Sequence, residues 1–258
     1  MALPLRDDRR TRRTPWATYG LILINVVVFL FLQPAWFQGA QQSSYGRRGG
    51  RVQAERFIYK WGAVPCEVSH LKALAEDPSC DNDQPSPALV PAKSVLASLL
   101  THMFLHASVV HLAGNMLFLW VFGRAVEDRT GPLPFLGLYL VTGLAGVLGH
   151  VLWHLGSTQP TLGASGAIAG IMGAYLVLRP RGRILTVVYT AAFQMVYVPA
   201  FVVLGLFFVT QFFTPASAHV AWVAHAAGMA MGMVLSFGLK RWFADPDEAS
   251  APGARLAF

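Results

Sequence analysis

The chain has 258 residues, is 54% hydrophobic and 13% charged, and has a mean hydropathy of +0.47. Its charged share is about half that of an ordinary soluble domain, which argues against a soluble globular protein. A net charge of +7 and a pI near 9.8 would suit a nucleic-acid binder, but the basic residues sit at the ends of apolar stretches, where membrane topology places them. Nucleic acid is therefore not an expected partner.

No Asp, Glu, Lys or Arg occurs in Thr14–Gly46, Ser94–Gly123, Thr130–Leu178 or Ile184–Leu239. A spanning helix needs about 20 apolar residues, so the first two windows hold one helix each and the last two hold two each. The expected fold is an all-α polytopic membrane protein with six transmembrane helices and both termini cytoplasmic.

In chain order, residues 1–15 form a basic cytoplasmic tail with Arg6, Arg9, Arg10, Arg12 and Arg13. The six-helix domain covers 16–241. Its first span, Trp16–Gln33, is not followed closely by a small-x-small cleavage site and reads as an uncleaved helix. Residues 34–93 form a long extracytoplasmic loop, which the charge rule constrains weakly despite its five basic residues between Arg47 and Lys60. Gly49-Gly50, Pro78, Pro85, Pro87 and Pro91 predict little regular structure in it. The loop also carries Cys66 and Cys80. On an oxidising side they suit a disulfide, and free thiols are the alternative.

The second span, Ser108–Gly123, carries His111 and Asn115 four residues apart on one face. His102 and His106, just before it, read as structural histidines. Arg124 and Arg129 follow on the cytoplasmic side. The third span, Pro134–His154, has a small-residue face at Gly143, Gly146 and Gly149, and Gly156-Ser-Thr-Gln-Pro160 ends it. The fourth, Ser165–Leu178, starts in Gly163-Ala164-Ser165-Gly166, and Gly163, Gly166 and Gly170 permit close packing. Arg179, Arg181 and Arg183 follow it. Ile184–Val196 either lies at the interface or extends the fifth span, Tyr197–Phe213. After Thr214-Pro215 comes the sixth, Ala218–Leu239, with His225, Gly228 and Gly232. Lys240 and Arg241 then lead to a cytoplasmic tail, 242–258.

Depth brings the polar residues together. The fourth span rises about 21 Å at about 1.5 Å per residue. In a hydrocarbon core of about 30 Å, Ser165 then lies roughly 9 Å below the outer surface. His225 comes to about the same depth, and His111 to roughly 12 Å. Broken chain at that depth is tolerated only when it is buried in protein or lines a wet cavity.

A serine hydroxyl needs a base to take its proton, and imidazole titrates near neutrality. His225 suits that role. His111, Asn115 and the N–H of Ser165 suit a developing oxyanion. No span holds a carboxylate, so the catalyst reads as a dyad without a third member. The same absence excludes an intramembrane aspartyl protease. No His-Glu-x-x-His occurs, which argues against a zinc protease.

These residues resemble the rhomboid serine proteases. The resemblance rests on His106-Ala-Ser-Val-Val-His111-Leu-Ala-Gly-Asn115, Gly163-Ala-Ser165-Gly166, Ala224-His225-Ala-Ala-Gly228-Met-Ala-Met-Gly232, and Phe122-Gly123-Arg-Ala-Val-Glu127 with Gly131 beyond it. It implies a rhomboid-like bundle around an outward-opening wet cavity, with Ser165 as nucleophile, His225 as base, and His111 and Asn115 in the oxyanion hole. It further implies single-span membrane proteins as substrates, and neither metal nor organic cofactor.

Some members carry an aromatic residue one turn after the nucleophile, stacked on the base; Ala169 stands there in this chain. The alternative function is an inactive rhomboid-like protein that binds membrane-protein clients, and the presence of both Ser165 and His225 favours the protease. A histidine-ligated metal or haem protein is a third reading, which lacks any carboxylate or cysteine ligand in the spans. A compact plan without a transit peptide predicts a prokaryotic plasma membrane.

Overall fold

The computed structural model describes residues 2–33, 44–77, 79–80, 89–189, 193–212 and 221–240. Pro78, Pro85 and Pro87, the Thr214-Pro215 break, the outer end of the sixth expected span and the 242–258 tail lie outside the described residues.

The chain opens with strand β1 (Ala2–Asp7) and helix α1 (Trp16–Val27), which continues as a π-helical turn to Leu32. The loop that follows contains α2 (Ser44–Trp61) and α3 (Pro65–His70). Then come α4 (Val95–Thr101), α5 (Val109–Phe118), a π-helical turn (Leu119–Gly123) and α6 (Arg124–Thr130). Next are α7 (Pro132–Trp153), α8 (Ser165–Leu178), β2 (Arg183–Tyr189), β3 (Phe193–Pro199), α9 (Ala200–Phe212) and α10 (Trp222–Leu239).

Val109–Thr130 and Pro132–Trp153 are each 22 residues long and apolar enough to cross a membrane. Trp16–Leu32, Ser165–Leu178, Ala200–Gln211 and Trp222–Gly238 are shorter apolar helices. The second runs past its expected end because the π turn carries it into α6 without a break.

Helix α8 is the centre. Ala167 through Ala174 are buried, so its mean exposure resembles that of a core helix with neighbours all round. It sits between α7 and α10, where small residues bring backbones close. A Cβ placed on Gly232 would run into the carbonyl oxygen of Gly170, and one on Gly228 into that of Gly166. Dispersion between closely approaching backbones holds such a contact where lipid supplies no hydrophobic drive. Phe122, Phe135, Tyr139, Ile171, Met172 and Tyr175 fill the space below.

Helix α6 fastens the start of α1. Glu127 of α6 accepts hydrogen bonds from Ala17 N (2.9 Å), Thr18 N (2.7 Å) and Thr18 Oγ1 (2.7 Å). A carboxylate thus meets the free N–H groups and the positive end of α1. Asp128 accepts from the backbone N–H of Arg12 and Arg13. Arg129 donates to Leu178 O at 2.6 Å, which caps the far end of α8. Trp16, Tyr19 and Trp120 cluster at this level, with Arg124 over the Trp120 ring, while Trp153 meets Trp222 at the other ends of α7 and α10. Two aromatic levels of this kind suit the two interfaces of a bilayer.

Two regions differ from the sequence expectation. The segment between α1 and α4 holds α2 and α3 where little regular structure is expected. Arg, Gln, Glu and Lys favour a helix over most of α2 and outweigh the Gly49-Gly50 pair. Tyr59, Val64, Cys66, Leu74 and Cys80 then bury a small core of their own. Cys66 and Cys80 form a disulfide. Lys93 is fully buried, paired with Glu67, and donates to Tyr59 O and Gly62 O. Burial pushes its amine below the ordinary lysine value, and Glu67 opposes that shift.

The second difference is a three-stranded antiparallel sheet, β1-β2-β3, at the C-terminal end of α8. Ile184–Val196, ambiguous in sequence, forms most of the β2–β3 pair, with Arg183 opposite Pro199. Ile184-Leu-Thr-Val-Val-Tyr189 is rich in β-branched and aromatic residues. Tyr197, expected to open the fifth helix, is the third-last residue of β3, and α9 starts only after Pro199. Residues 2–7, within the segment expected as a basic tail, pair with β2. Asp7 bonds Arg179 at 2.7 Å where the strand passes the end of α8. Burial raises the Asp7 carboxyl to about 6, against the opposing pull of Arg179.

Candidate active site

Ser165 is the first residue of α8, with Ala164 as its N-cap. The backbone N–H groups of the first helical turn have no partner within a helix, so donors surround the hydroxyl. Gly163, just upstream, has φ +124°, a conformation that a residue with a Cβ rarely adopts. Space demands glycine as well. A Cβ there would lie 2.9 Å from His111 Cε1 and 3.5 Å from Ser165 Oγ. The glycine therefore lets the imidazole of α5 approach the serine.

The strap before Ser165 is held from two sides. Gly163 N donates to His102 O at 2.8 Å. Residues 154–163 also pair with the outer loop, through Ala63 N to Thr161 O (3.1 Å), Thr161 N to Ala63 O (2.7 Å) and Cys66 N to Ser157 O (3.0 Å). The disulfide-closed loop thus buttresses the chain that presents the serine.

His225 lies in the first turn of α10 and is buried. Its Nε2 is 2.7 Å from Ser165 Oγ, across 60 residues of sequence. Its Nδ1 is 2.6 Å from Gln211 Oε1, in the last turn of α9. Phe207, one turn before Gln211, places its ring 6.0 Å from the imidazole at a 44° tilt. Ala169 is fully buried in α8, and the aromatic neighbour comes from α9 instead.

His111 and Asn115 are one turn apart on α5. Ser108 caps that helix, accepting from His111 N at 3.1 Å, and Ala107 N donates to His111 Nδ1 at 3.3 Å. That contact leaves His111 Nε2 as the protonated nitrogen. Asn115 is buried, and its Nδ2 has no hydrogen-bond partner among the described residues. An unpaired buried amide costs roughly 1–3 kcal/mol, so this donor is one the fold leaves unsatisfied at a cost.

Gly166, Gly170, Gly228 and Gly232 lie behind the pair, at the α8–α10 contact. His106 is also buried; its backbone is bracketed by Gln33, which accepts from His106 N and donates to His106 O. His70 lies 3.9 Å from Cys66 Sγ and 4.0 Å from Cys80 Sγ, but the two sulfurs are joined to each other and His70 pairs with Asp77 at 2.7 Å. Sequence reasoning passed over Gln211 and Phe207. The fifth span carries no motif, and a search for a charged partner of His225 does not notice a neutral amide.

Helices with two aromatic levels, and a serine–histidine pair set at a helix start beneath a structured outer loop, define a helical polytopic membrane protein with a buried polar site. The Rhomboid domain family matches residues 93–242, and the chain belongs to the rhomboid family. It is 32% identical over 146 residues to Rhomboid protein 1, mitochondrial, of Saccharomyces cerevisiae, covering 55% of this chain and 35% of that protein. It is 42% identical over 85 residues to the rhomboid protease GluP of Bacillus subtilis, covering 33% and 16%. Human presenilin-associated rhomboid-like protein, mitochondrial, is 36% identical over 100 residues, covering 36% and 26%. The chain thus matches about a third or less of the length of these relatives.

These relatives correct the expected location. The yeast and human proteins are named as mitochondrial, as is a relative from Arabidopsis thaliana. With mitochondrial proteins among its relatives, the expectation of a prokaryotic plasma membrane does not stand. The error has a physical root. A helical bundle is built for a bilayer and carries no address, so its compactness said nothing about which membrane holds it.

Proposed function

We propose that this chain is an intramembrane serine endopeptidase that cleaves single-span membrane proteins with a Ser165/His225 dyad. The observation that carries the reading is the 2.7 Å contact between Ser165 Oγ and His225 Nε2 at the start of a buried helix. Six helices span the membrane: α1 with its π turn, α5 to α6, α7, α8, α9 and α10. Both termini then lie on the inner face, with the Arg-rich segments, and the dyad lies toward the outer one. The membrane is mitochondrial, following the relatives' names.

His225 Nε2 accepts the Ser165 proton as Oγ attacks the scissile carbonyl carbon. The resulting oxyanion meets the N–H of Ser165, the Nδ2 amide of Asn115 and the Nε2–H of His111. His225 then returns the proton to the departing amine, and the acyl-enzyme ester remains on Ser165. Water activated by the same imidazole hydrolyses it. The chemistry uses this chain's own groups, with no metal or organic cofactor. A client-binding role without catalysis has no use for a hydrogen-bonded Ser–His pair, which is why the protease reading is preferred.

A serine-directed fluorophosphonate tests the reading directly. Purified protein in detergent is expected to be labelled at Ser165, identified by mass spectrometry of the modified peptide. Absence of any label there, in protein that retains its fold, would sink the assignment. Asn115→Ala is expected to reduce kcat/KM by about 10²–10³-fold, or about 2.7–4 kcal/mol, as for other oxyanion donors. The loss should fall mainly on kcat, because the donor acts on charge that develops only in the transition state; a loss confined to KM would remove Asn115 from that role.

A further inference from the structure

Building on the proposed dyad, we infer that Gln211 is the positioning residue for His225, doing with a neutral amide what a carboxylate does in a triad. Three observations converge. Gln211 Oε1 lies 2.6 Å from His225 Nδ1. Gln211 Nε2 is buried and has no hydrogen-bond partner among the described residues, so the contact to His225 is the amide's one hydrogen bond among them. The imidazole is also flanked by Phe207, one turn earlier on α9. A single face of α9 therefore supplies both an acceptor for the ring and a wall beside it.

The chemistry fixes the roles. For His225 Nε2 to accept the Ser165 proton it must carry a lone pair, so the neutral ring bears its proton on Nδ1. That N–H requires an acceptor, and the carbonyl end of Gln211 provides it. The opposite orientation would present an amide donor to Nδ1 and force the ring proton onto Nε2, facing the hydroxyl. Such a tautomer cannot take the serine proton. With its oxygen toward Nδ1, Gln211 holds the productive tautomer and the ring plane without placing an ion in the bilayer, where charge is costly. A carbonyl dipole stabilises the imidazolium less than a carboxylate would, yet it orients the base.

The test compares Gln211→Leu and Gln211→Glu with the unsubstituted protein in liposomes, using a single-span reporter substrate and the fluorophosphonate. Leu keeps the bulk and removes the acceptor. It is expected to lower kcat and the labelling rate by roughly 10–100-fold, a part of the roughly 10²–10⁴-fold that a general base supplies, with KM nearly unchanged. Glu restores an acceptor, so most activity should return. Its carboxylate should hold the imidazolium more firmly and move the rising limb of the pH–rate profile to higher pH.

A purely packing role would leave Leu as active as wild type and would leave the pH profile in place. Either result, in protein whose wild type is labelled at Ser165, overturns the positioning role and leaves the dyad standing. Failure of the wild type to label overturns the dyad and the positioning role together. Loss of activity in Leu with recovery and an upward pH shift in Glu supports it.

Discussion

Ser165→Ala and His225→Ala are each expected to reduce cleavage of a single-span reporter in liposomes by on the order of 10⁴-fold or more. Alanine at 165 removes the only hydroxyl within reach of His225 Nε2 in the described structure. Alanine at 225 leaves the hydroxyl in place but removes its base, and a serine alcohol is a weak nucleophile without one. The two groups act as a unit, so the double variant should be no worse than either single one. Additive losses, or a single variant that still cleaves, would show that the two residues do not share one step. Neither change touches the glycine contacts of α8 and α10, so thermal stability in detergent should move little. That pairing of lost turnover with retained fold separates catalysis from packing.

Gly232→Val is expected to lose the folded protein. The new Cβ would enter the space of the Gly170 carbonyl, with the α carbon of Gly170 also close, and a backbone cannot step aside as a side chain does. Overpacking ordinarily costs about 1–3 kcal/mol, and a clash with main chain belongs at or beyond the top of that range. The helices would have to separate, which also parts Ser165 from His225, because α8 and α10 carry one each. Gly238→Ala, on the same helix, is the matched control. Nothing lies within 4 Å of a Cβ at that place, and alanine favours a helix by about 1 kcal/mol over glycine. Fluorescence-detected size exclusion and thermal melts should show Gly232→Val aggregated or sharply destabilised and Gly238→Ala equal to wild type or better. A well-folded Gly232→Val protein would mean that the α8–α10 contact is looser than described.

Much of the architecture was legible because charge is so costly in lipid. Stretches free of Asp, Glu, Lys and Arg located the apolar helices to within a few residues, and the start of α8 at Ser165 needed no adjustment. The contact between Ser165 and His225 was legible for a related reason, since a histidine in an apolar helix stands out against its surroundings. What failed to show was whatever looked ordinary. Gln211 is a neutral residue near the end of a helix without a motif, and its importance comes only from the imidazole that α10 brings to it. The β2–β3 strands carry a pattern that is apolar without being charged, so hydropathy alone could not tell sheet from helix. Helix α2 was hidden by two glycines and by a row of prolines further along the loop. Location was misjudged because it depends on sorting signals, which membrane packing does not record.

The sheet at the C-terminal end of α8 also ties distant parts of the chain together. Strand β1 pairs with Ile184 to Val188, far along the sequence, and loop closure over such a separation is slow. The segment before the first helix therefore joins the structure late, when residues 2–7 seal against β2. Until then the edge of β2 stays open to other strands.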